Sequence, residues 1–175
     1  MLNYARLDTF FLIQLRDKVK AELLEKQLIT LAEEDFKRLI EAAHQRGIKV
    51  IIDLVINHTA IDSPLVTQHP EWYATDDDGR IKHPGAIDPA DATKVTVWGD
   101  LAEISYWPPP DPEGLLHYFD GVVAKYLRLG FMGFRADAAY KIPGDFWGRL
   151  INEAKNLEPR VQFFAETLGC RLEQC

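Results

Sequence analysis

The stretch Gly133-Phe134-Arg135-Ala136-Asp137 decides the fold, because it places a cation and a carboxylate in an otherwise apolar segment. Side chains alternate between the two faces of a strand, so Gly133, Arg135 and Asp137 are predicted to share one face. Phe134 and Ala136 then occupy the other face. Residues two apart in a strand have Cα atoms about 7 Å apart, so the guanidinium is expected to contact the carboxylate.

The charged pair in this stretch has two interpretations. Charged groups inside an apolar strand are costly unless they are paired. Because an adjacent cation favours the ionised form of an acid, Asp137 is predicted to be a reacting carboxylate that Arg135 keeps ionised. The alternative is a buried structural ion pair, and the stretch by itself leaves both interpretations open.

Length, composition and charge limit the class of protein. The 175 residues are 47% hydrophobic and 27% charged, which is typical of a globular domain, and we expect one domain over residues 1–175. The net charge of -7 argues against a nucleic-acid or anionic-membrane partner and favours a neutral substrate. No targeting or membrane-spanning segment is recognised. With only Cys170 and Cys175 as cysteines, we expect reduced thiols and a cytoplasmic location.

Helical and strand patterns alternate along the chain. Asn57 and His58 end a first apolar run that starts at Lys49, and a near-continuous run of this kind is typical of a parallel strand buried on both faces. Asp53 lies in this run and is expected to pair with Arg135 on a neighbouring strand. The other strands are predicted in the opening stretch and over residues 161–166. Amphipathic helices are predicted over residues 17–27, from a capping box at Thr30 to Gly47, from Asp111 to Gly130, and from Phe146 to Pro159. This alternation predicts a parallel α/β sheet.

Residues 59–110 interrupt the alternation and are predicted to form an irregular excursion. The segment is rich in Pro, Asp and Gly, and residues 76–79 predict a solvated turn. It also holds five large aromatic residues, too many for a disordered linker: Trp72, Tyr73, Trp98, Tyr106 and Trp107. They are expected either to stack on sugar rings or to form a satellite core, and both interpretations remain open.

The chemistry-bearing residues fall at the carboxyl ends of the predicted strands. Asn57 and His58 follow the first strand, Asp137 the second and Glu166 the third. Parallel α/β folds place their sites at this edge. Two carboxylates on adjacent strands are suited to glycoside hydrolysis, one as nucleophile and one as acid/base. Asp137 fits the first role, and Glu166 fits the second because its apolar neighbours in sequence are expected to raise the pKa of its carboxyl group.

Three motifs resemble, in order and spacing, those on the third, fourth and fifth strands of the alpha-amylase superfamily, glycoside hydrolase family 13. They are Asp53-Leu54-Val55-Ile56-Asn57-His58, Gly133-Phe134-Arg135-Ala136-Asp137-Ala138 and Phe164-Ala165-Glu166. The resemblance extends from about residue 30 to residue 169. Two further stretches resemble the bacterial maltosyltransferase branch, His69-Pro70-Glu71-Trp72-Tyr73 and Trp98-Gly99-Asp100-Leu101.

The resemblance implies a (β/α)8 TIM barrel, here a partial barrel of about strands three to five. It implies retaining hydrolysis or glycosyl transfer on an alpha-linked glucan or maltooligosaccharide through a glycosyl-enzyme intermediate, with no cofactor and no metal. The implied roles are Asp137 as nucleophile, Glu166 as acid/base, Arg135 orienting the nucleophile, His58 contacting the sugar, and Asp53 and Asn57 supporting the site. Tyr140 and Lys141 stand where the family often has Lys-His, and they are the remaining substrate-binding candidates.

The length of the chain sets a further expectation. A complete barrel takes about 250 residues, so the chain is expected to be inactive alone and to self-associate through exposed barrel edges. A non-catalytic carbohydrate-binding or assembly module is the alternative, which the intact carboxylate pair disfavours. A metal-dependent hydrolase using Asp53, His58, Asp137 and Glu166 is disfavoured because the sequence has no close His-x-His or Cys pair.

Overall fold

The computed structural model describes residues 29–88, 91–107 and 111–167. The chain divides into two compact units, residues 1–48 and residues 49–175. The predicted helix over residues 17–27, the proline run at 108–110 and both cysteines lie outside the described residues. The assignment of residues 1–175 to one domain stays a prediction.

The described part of the first unit is one helix, α1 (Ile29–His44). Gly47 follows it with a left-handed φ of 73°, which fits the predicted stop. The predicted capping box is wrong, because Thr30 already lies inside the helix and an N-cap residue needs a non-helical backbone. Ile40 of the predicted apolar stripe is buried, whereas Phe36 and Leu39 are exposed.

The second unit alternates strands and helices around a short parallel sheet. In chain order it contains β1 (Ile51–Leu54), β2 (His58–Ala60), α2 (Pro64–Gln68), β3 (Gly85–Asp88), β4 (Asp91–Val97), β5 (Leu101–Glu103), α3 (Pro112–Leu129), β6 (Gly133–Ala136), α4 (Gly144–Leu157) and β7 (Gln162–Ala165). Strands β1, β6 and β7 pair in that order, both pairs parallel. The predicted parallel α/β architecture is confirmed for this unit.

The three parallel strands are buried on one face, not on both as the sequence predicts. Phe134 and Leu54 share one hydrophobic core with buried residues of α3 and α4, such as Leu115 and Leu150. The opposite face is open: Ile51 of β1 and Phe164 of β7 are 43% and 48% exposed. An apolar run signals which residues suit burial, but a face becomes buried only when another layer covers it.

The first parallel strand is shorter than its apolar run. β1 ends at Leu54, and the chain bends at Asn57 before β2 pairs antiparallel with β5. Of the polar residues in the run, only Asp53 therefore lies in the parallel strand, and Asn57 follows it in a bend. The buried Tyr106 hydroxyl donates to the Ile56 carbonyl (2.8 Å) and gives that backbone group a partner outside the sheet.

The excursion over residues 59–107 is more regular than predicted, with β2–β5 and α2 inside it. Trp72, Tyr73 and Tyr106 are at most 5% exposed and belong to the main hydrophobic core rather than to a satellite core. Trp107 is 74% exposed. The predicted turn is confirmed, since the Asp76 side chain accepts from two backbone N–H groups and Gly79 has a positive φ.

Helix α3 has the predicted ends. The Asp111 side chain accepts from the Gly114 N–H (3.0 Å), Pro112 begins the first turn, and Gly130 closes the helix with a φ of 102°. Among the described helices, none has the length and apolar character of a membrane span.

Candidate active site

Arg135 lies at the centre of the candidate site and contacts three carboxylates. Its Nη1 donates to both oxygens of Asp53 (2.9 and 3.0 Å) and to Asp137 Oδ1 (2.8 Å), and its Nη2 lies 2.9 Å from Glu166 Oε1. These contacts, led by the hydrogen bond with Asp53, raise the pKa of Arg135. The predicted Arg135–Asp53 and Arg135–Asp137 contacts are both present in the structure.

The strand register explains why these groups meet. Asp53 and Arg135 are direct partners in the β1–β6 pair, and Asp137 and Glu166 follow the last residues of β6 and β7. All four side chains therefore reach the carboxyl edge of the sheet on its open face. Arg135 is 36% exposed and Asp137 23%, so the pair is half-buried rather than buried as the sequence predicts.

The surroundings of Glu166 differ from the expectation. Sequence neighbours suggest an apolar environment without a cation, but the carboxylate is 32% exposed and forms an ion pair with Arg135. Its other oxygen accepts from the Ala138 N–H (3.0 Å). Adjacent residues in a strand point to opposite faces of the sheet. The residues next to Glu166 in sequence therefore do not indicate which groups surround its side chain.

Asn57 and His58 form a relay on the other side of Asp137. The Asn57 amide donates to the Asp137 carbonyl (2.9 Å) and to Asp137 Oδ2 (3.0 Å), while its oxygen contacts His58 Nδ1. Asn57 is 4% exposed. It is held there by the excursion, because its carbonyl accepts from the Ile104 N–H (3.0 Å). Of the two residues predicted from the first motif, Asn57 contacts the nucleophile candidate directly and His58 contacts Asn57.

The surroundings of His58 determine the protonation state and the tautomer of its ring. Burial lowers the pKa of His58, an effect that outweighs the attraction of Asp137. In the neutral ring, Nδ1 is the donor because it faces the Asn57 oxygen, so Nε2 is the acceptor. Nε2 is buried and has no hydrogen-bond partner.

A short turn after β6 is hydrogen-bonded to Glu166, which follows β7. Ala138 has a left-handed backbone (φ 41°, ψ 48°), and a 3₁₀ turn over Ala139–Lys141 follows. The Ala139 N–H donates to the Glu166 carbonyl (3.2 Å), and the Trp147 indole donates to the Ala139 carbonyl (3.0 Å). Sequence reasoning missed Ala138 and Trp147, because alanine gives no signal for a left-handed backbone and Trp147 fits the apolar stripe of α4.

The remaining substrate-binding candidates lie outside the Arg135 network. Tyr140 is 47% exposed. Lys141 donates to the Gly85 carbonyl at the start of β3 (3.3 Å) and its ammonium lies 5.8 Å from the centre of the Trp98 ring. Among the described residues, no cluster of three or more His, Cys, Asp or Glu side chains has a metal-binding arrangement.

Parallel strand–helix units with paired carboxylates at the carboxyl ends of the strands define an α/β protein, the class that includes both barrels and open sheets. Residues 32–107 match the family model of the alpha-amylase catalytic domain. The alpha-1,4-glucan:maltose-1-phosphate maltosyltransferases of Mycolicibacterium smegmatis and Myxococcus xanthus are 32% and 33% identical to the chain over 133 residues. Each match covers 76% of this chain, and 18% and 19% of the respective relative.

Solved structures give the same answer. An alpha-amylase from Lactobacillus plantarum matches with a TM-score of 0.63 at 30% identity, over 77% of this chain and 28% of that one. A maltogenic alpha-amylase from Thermotoga neapolitana matches with a TM-score of 0.58, also at 30% identity and with the same coverage. The chain belongs to the alpha-amylase superfamily and carries part of its catalytic domain. It spans about a fifth of the length of the curated relatives.

Proposed function

We propose that this chain forms the nucleophile and acid/base segment of a retaining enzyme that acts on alpha-linked glucans, corresponding to about the third to fifth strands of the barrel. One observation carries the proposal: a single guanidinium pairs with Asp137 and Glu166, which end adjacent strands on the same side of the sheet. Retaining glycosidases need two carboxyl groups close together, one to attack and one to exchange a proton.

Asp137 is the proposed nucleophile. Arg135 donates to one oxygen of its carboxylate and Asn57 to the other, which holds the group in place. One oxygen of the Asp137 carboxylate attacks the anomeric carbon through a lone pair while the bond from that carbon to the leaving oxygen breaks. The product is a glycosyl-enzyme ester. Asp53 and Asp137 outweigh the single guanidinium even while Glu166 carries its proton, so the site is net negative and stabilises the positive charge that develops on the sugar.

Glu166 is the proposed acid/base. In the first step its protonated form gives a proton to the leaving oxygen, and in the second its carboxylate takes a proton from the incoming hydroxyl. The acceptor is water in hydrolysis and a sugar or phosphate group in transfer. The network in the structure holds Glu166 beside Asp137, as the mechanism requires.

His58 is the proposed sugar contact. The proposal follows from the position of the ring, since its Nδ1 contacts Asn57, which also binds the proposed nucleophile Asp137. Because the similar maltosyltransferases are named for alpha-1,4-glucan and maltose 1-phosphate, we propose a maltooligosaccharide or a related alpha-1,4-glucan as substrate. Tyr140 and Lys141 are proposed to contact the sugar beyond the cleaved bond.

The test is mechanism-based trapping on the full gene product. A fluorinated maltosyl donor forms the glycosyl-enzyme but slows its breakdown, so peptide mass spectrometry is expected to find the label on Asp137. Asp137→Asn removes the label, while Asp53→Asn, the matched control at the same guanidinium, keeps it on Asp137 at a reduced rate. Binding of maltooligosaccharide without any label would instead support the non-catalytic carbohydrate-binding alternative.

Residues 1–175 alone are proposed to be inactive. The open face of the sheet leaves the site without the layer that excludes water from a reacting centre. The check is release or transfer of glucosyl units from maltooligosaccharides by the 175-residue chain, with no turnover expected. Robust turnover would contradict this part of the proposal and leave the assigned roles intact.

A further inference from the structure

The turn after Asp137 contains a backbone conformation that its sequence does not favour. Among the described residues, Ala138 is the one non-glycine residue with a positive φ. An L-residue in the left-handed region costs free energy, and it persists only where neighbouring contacts compensate for it. The contacts of the turn therefore indicate what this conformation is for.

Two consecutive peptide N–H groups of the turn converge on one residue. The Ala138 N–H donates to Glu166 Oε2 (3.0 Å), and the Ala139 N–H donates to the Glu166 carbonyl (3.2 Å). Successive N–H groups around a left-handed residue form a concave arrangement that binds oxygen atoms. The φ and ψ angles of Ala138 set the direction of the Ala139 N–H relative to the Ala138 N–H, so the left-handed backbone allows both groups to reach Glu166.

The turn is held from the opposite side as well. The Trp147 indole at the start of α4 donates to the Ala139 carbonyl (3.0 Å). Arg135 binds the second Glu166 oxygen at 2.9 Å. Each oxygen of this carboxyl group thus has its own donor, which fixes both the position and the plane of the group.

We propose that Ala138 is a positioning residue for Glu166: its own N–H binds Oε2, its left-handed backbone directs the next N–H to the Glu166 carbonyl, and the two contacts together fix that carboxyl group relative to Asp137. The meaning of this contact for catalysis rests on the proposed function, whereas the contact itself does not. Position 138 then tolerates glycine, which adopts this φ freely, and rejects β-branched residues.

The contact is tested by a ¹H–¹⁵N NMR pH titration of the 175-residue chain. An amide hydrogen-bonded to a carboxylate shifts downfield as the acid ionises, so the Ala138 amide proton is expected to follow the titration of Glu166. Asp53, Asp137 and His58 are the other titratable groups at this edge of the sheet. Glu166→Gln is therefore expected to abolish the shift, whereas Asp137→Asn and Asp53→Asn retain it.

Variants at position 138 separate positioning from general structure. In Ala138→Gly the amide proton is expected to keep its pH-dependent shift, and in Ala138→Val to lose it. Should Ala138→Val fail to fold, the unmodified chain and Glu166→Gln decide the matter. An amide shift that survives in Glu166→Gln, or that disappears in Asp137→Asn, would overturn the proposal. Trapping at Asp137 is independent of this result, so the two proposals fail separately.

Discussion

Arg135 shows how one residue organises the candidate site. A guanidinium offers five donors in a fixed planar fork, and here the fork holds Asp53, Asp137 and Glu166 together. A lysine at this position has a single charged group and cannot hold three carboxylates in the same plane. The geometry of the site therefore depends on the shape of this side chain as well as on its charge.

Asn57 is predicted to be important for stability because it serves two partners at once. Asn57→Ala leaves Asp137 Oδ2 and His58 Nδ1 each without the hydrogen-bond partner that the structure shows, in a half-buried site. The expected loss in free energy of unfolding is about 1–3 kcal/mol, measured by urea denaturation. The control is Asn152→Ala, which is exposed on α4 and is expected to change stability by less than about 0.5 kcal/mol. Equal losses in both variants would contradict this role.

His58 predicts a specific pH dependence. Since burial lowers the pKa of the folded ring below the ordinary value of 6.5, the unfolded chain binds the proton more readily. The stability linked to His58 is therefore complete above that value and is lost as the pH falls toward the pKa of the folded ring.

The measurement is the free energy of unfolding at several pH values between about 7 and 5, for the wild type and for His58→Gln. The difference between the two proteins is expected to shrink as the pH falls, because glutamine does not titrate. A difference that stays constant over this interval would exclude a buried neutral His58.

At the scale of elements, Gly133 explains how closely β6 approaches its neighbours. A Cβ added there would lie 2.6 Å from the Gln162 carbonyl oxygen of β7 and 3.1 Å from Ile51 Cγ2 of β1. Both distances are shorter than an ordinary van der Waals contact. The parallel sheet thus requires a residue without a side chain at the start of its central strand.

Gly133→Ala is predicted to destabilise the protein by about 1–3 kcal/mol, since the backbone of β7 has to move to admit a methyl group. The matched control is Gly121→Ala on α3, where nothing lies within 4 Å of the added Cβ. That variant is expected to stabilise the protein by about 0.5–1 kcal/mol, because alanine favours a helix over glycine. Thermal or urea unfolding of both variants gives the comparison, and a neutral Gly133→Ala would refute the close approach.

The elements also show what the sequence can and cannot predict. Helix α3 follows its local signals, Asp111 at the start and Gly130 at the end, because capping depends on adjacent residues. The burial of β7 is not predicted by its sequence, because Phe164 is apolar yet 48% exposed in the structure. The partners of Glu166 and the left-handed backbone of Ala138 depend on residues distant in the chain, and no local pattern encodes them.

At the scale of the whole molecule, the parallel sheet has two outer strands, β1 and β7, and an open face between them. Outer strands of a sheet present backbone groups that readily pair with another chain. Ile51 of β1 and Phe164 of β7 add exposed apolar surface to these outer strands. Self-association, which the sequence already suggests, stays a prediction. The structure indicates that β1 and β7 are the strands through which it would occur.

The 175-residue chain is predicted to self-associate in a concentration-dependent manner, measured as the weight-average mass in sedimentation experiments. Phe164→Gln removes apolar surface from the open face and is expected to weaken the association. Leu157→Gln is the control, since Leu157 is 60% exposed at the end of α4, away from that face. A mass equal to one chain at every concentration, or the same effect in both variants, would contradict the prediction.

The link from Lys141 to Gly85 and Trp98 has a consequence for engineering. It ties the hairpin of β3 and β4 to the segment that follows the proposed nucleophile, although 56 residues separate Lys141 from Gly85 in the chain. Any exchange of that hairpin with the corresponding loop of a homologue must bring its own residue at position 141. A chimera that exchanges only the hairpin would combine Lys141 of this chain with hairpin residues that did not evolve to contact it.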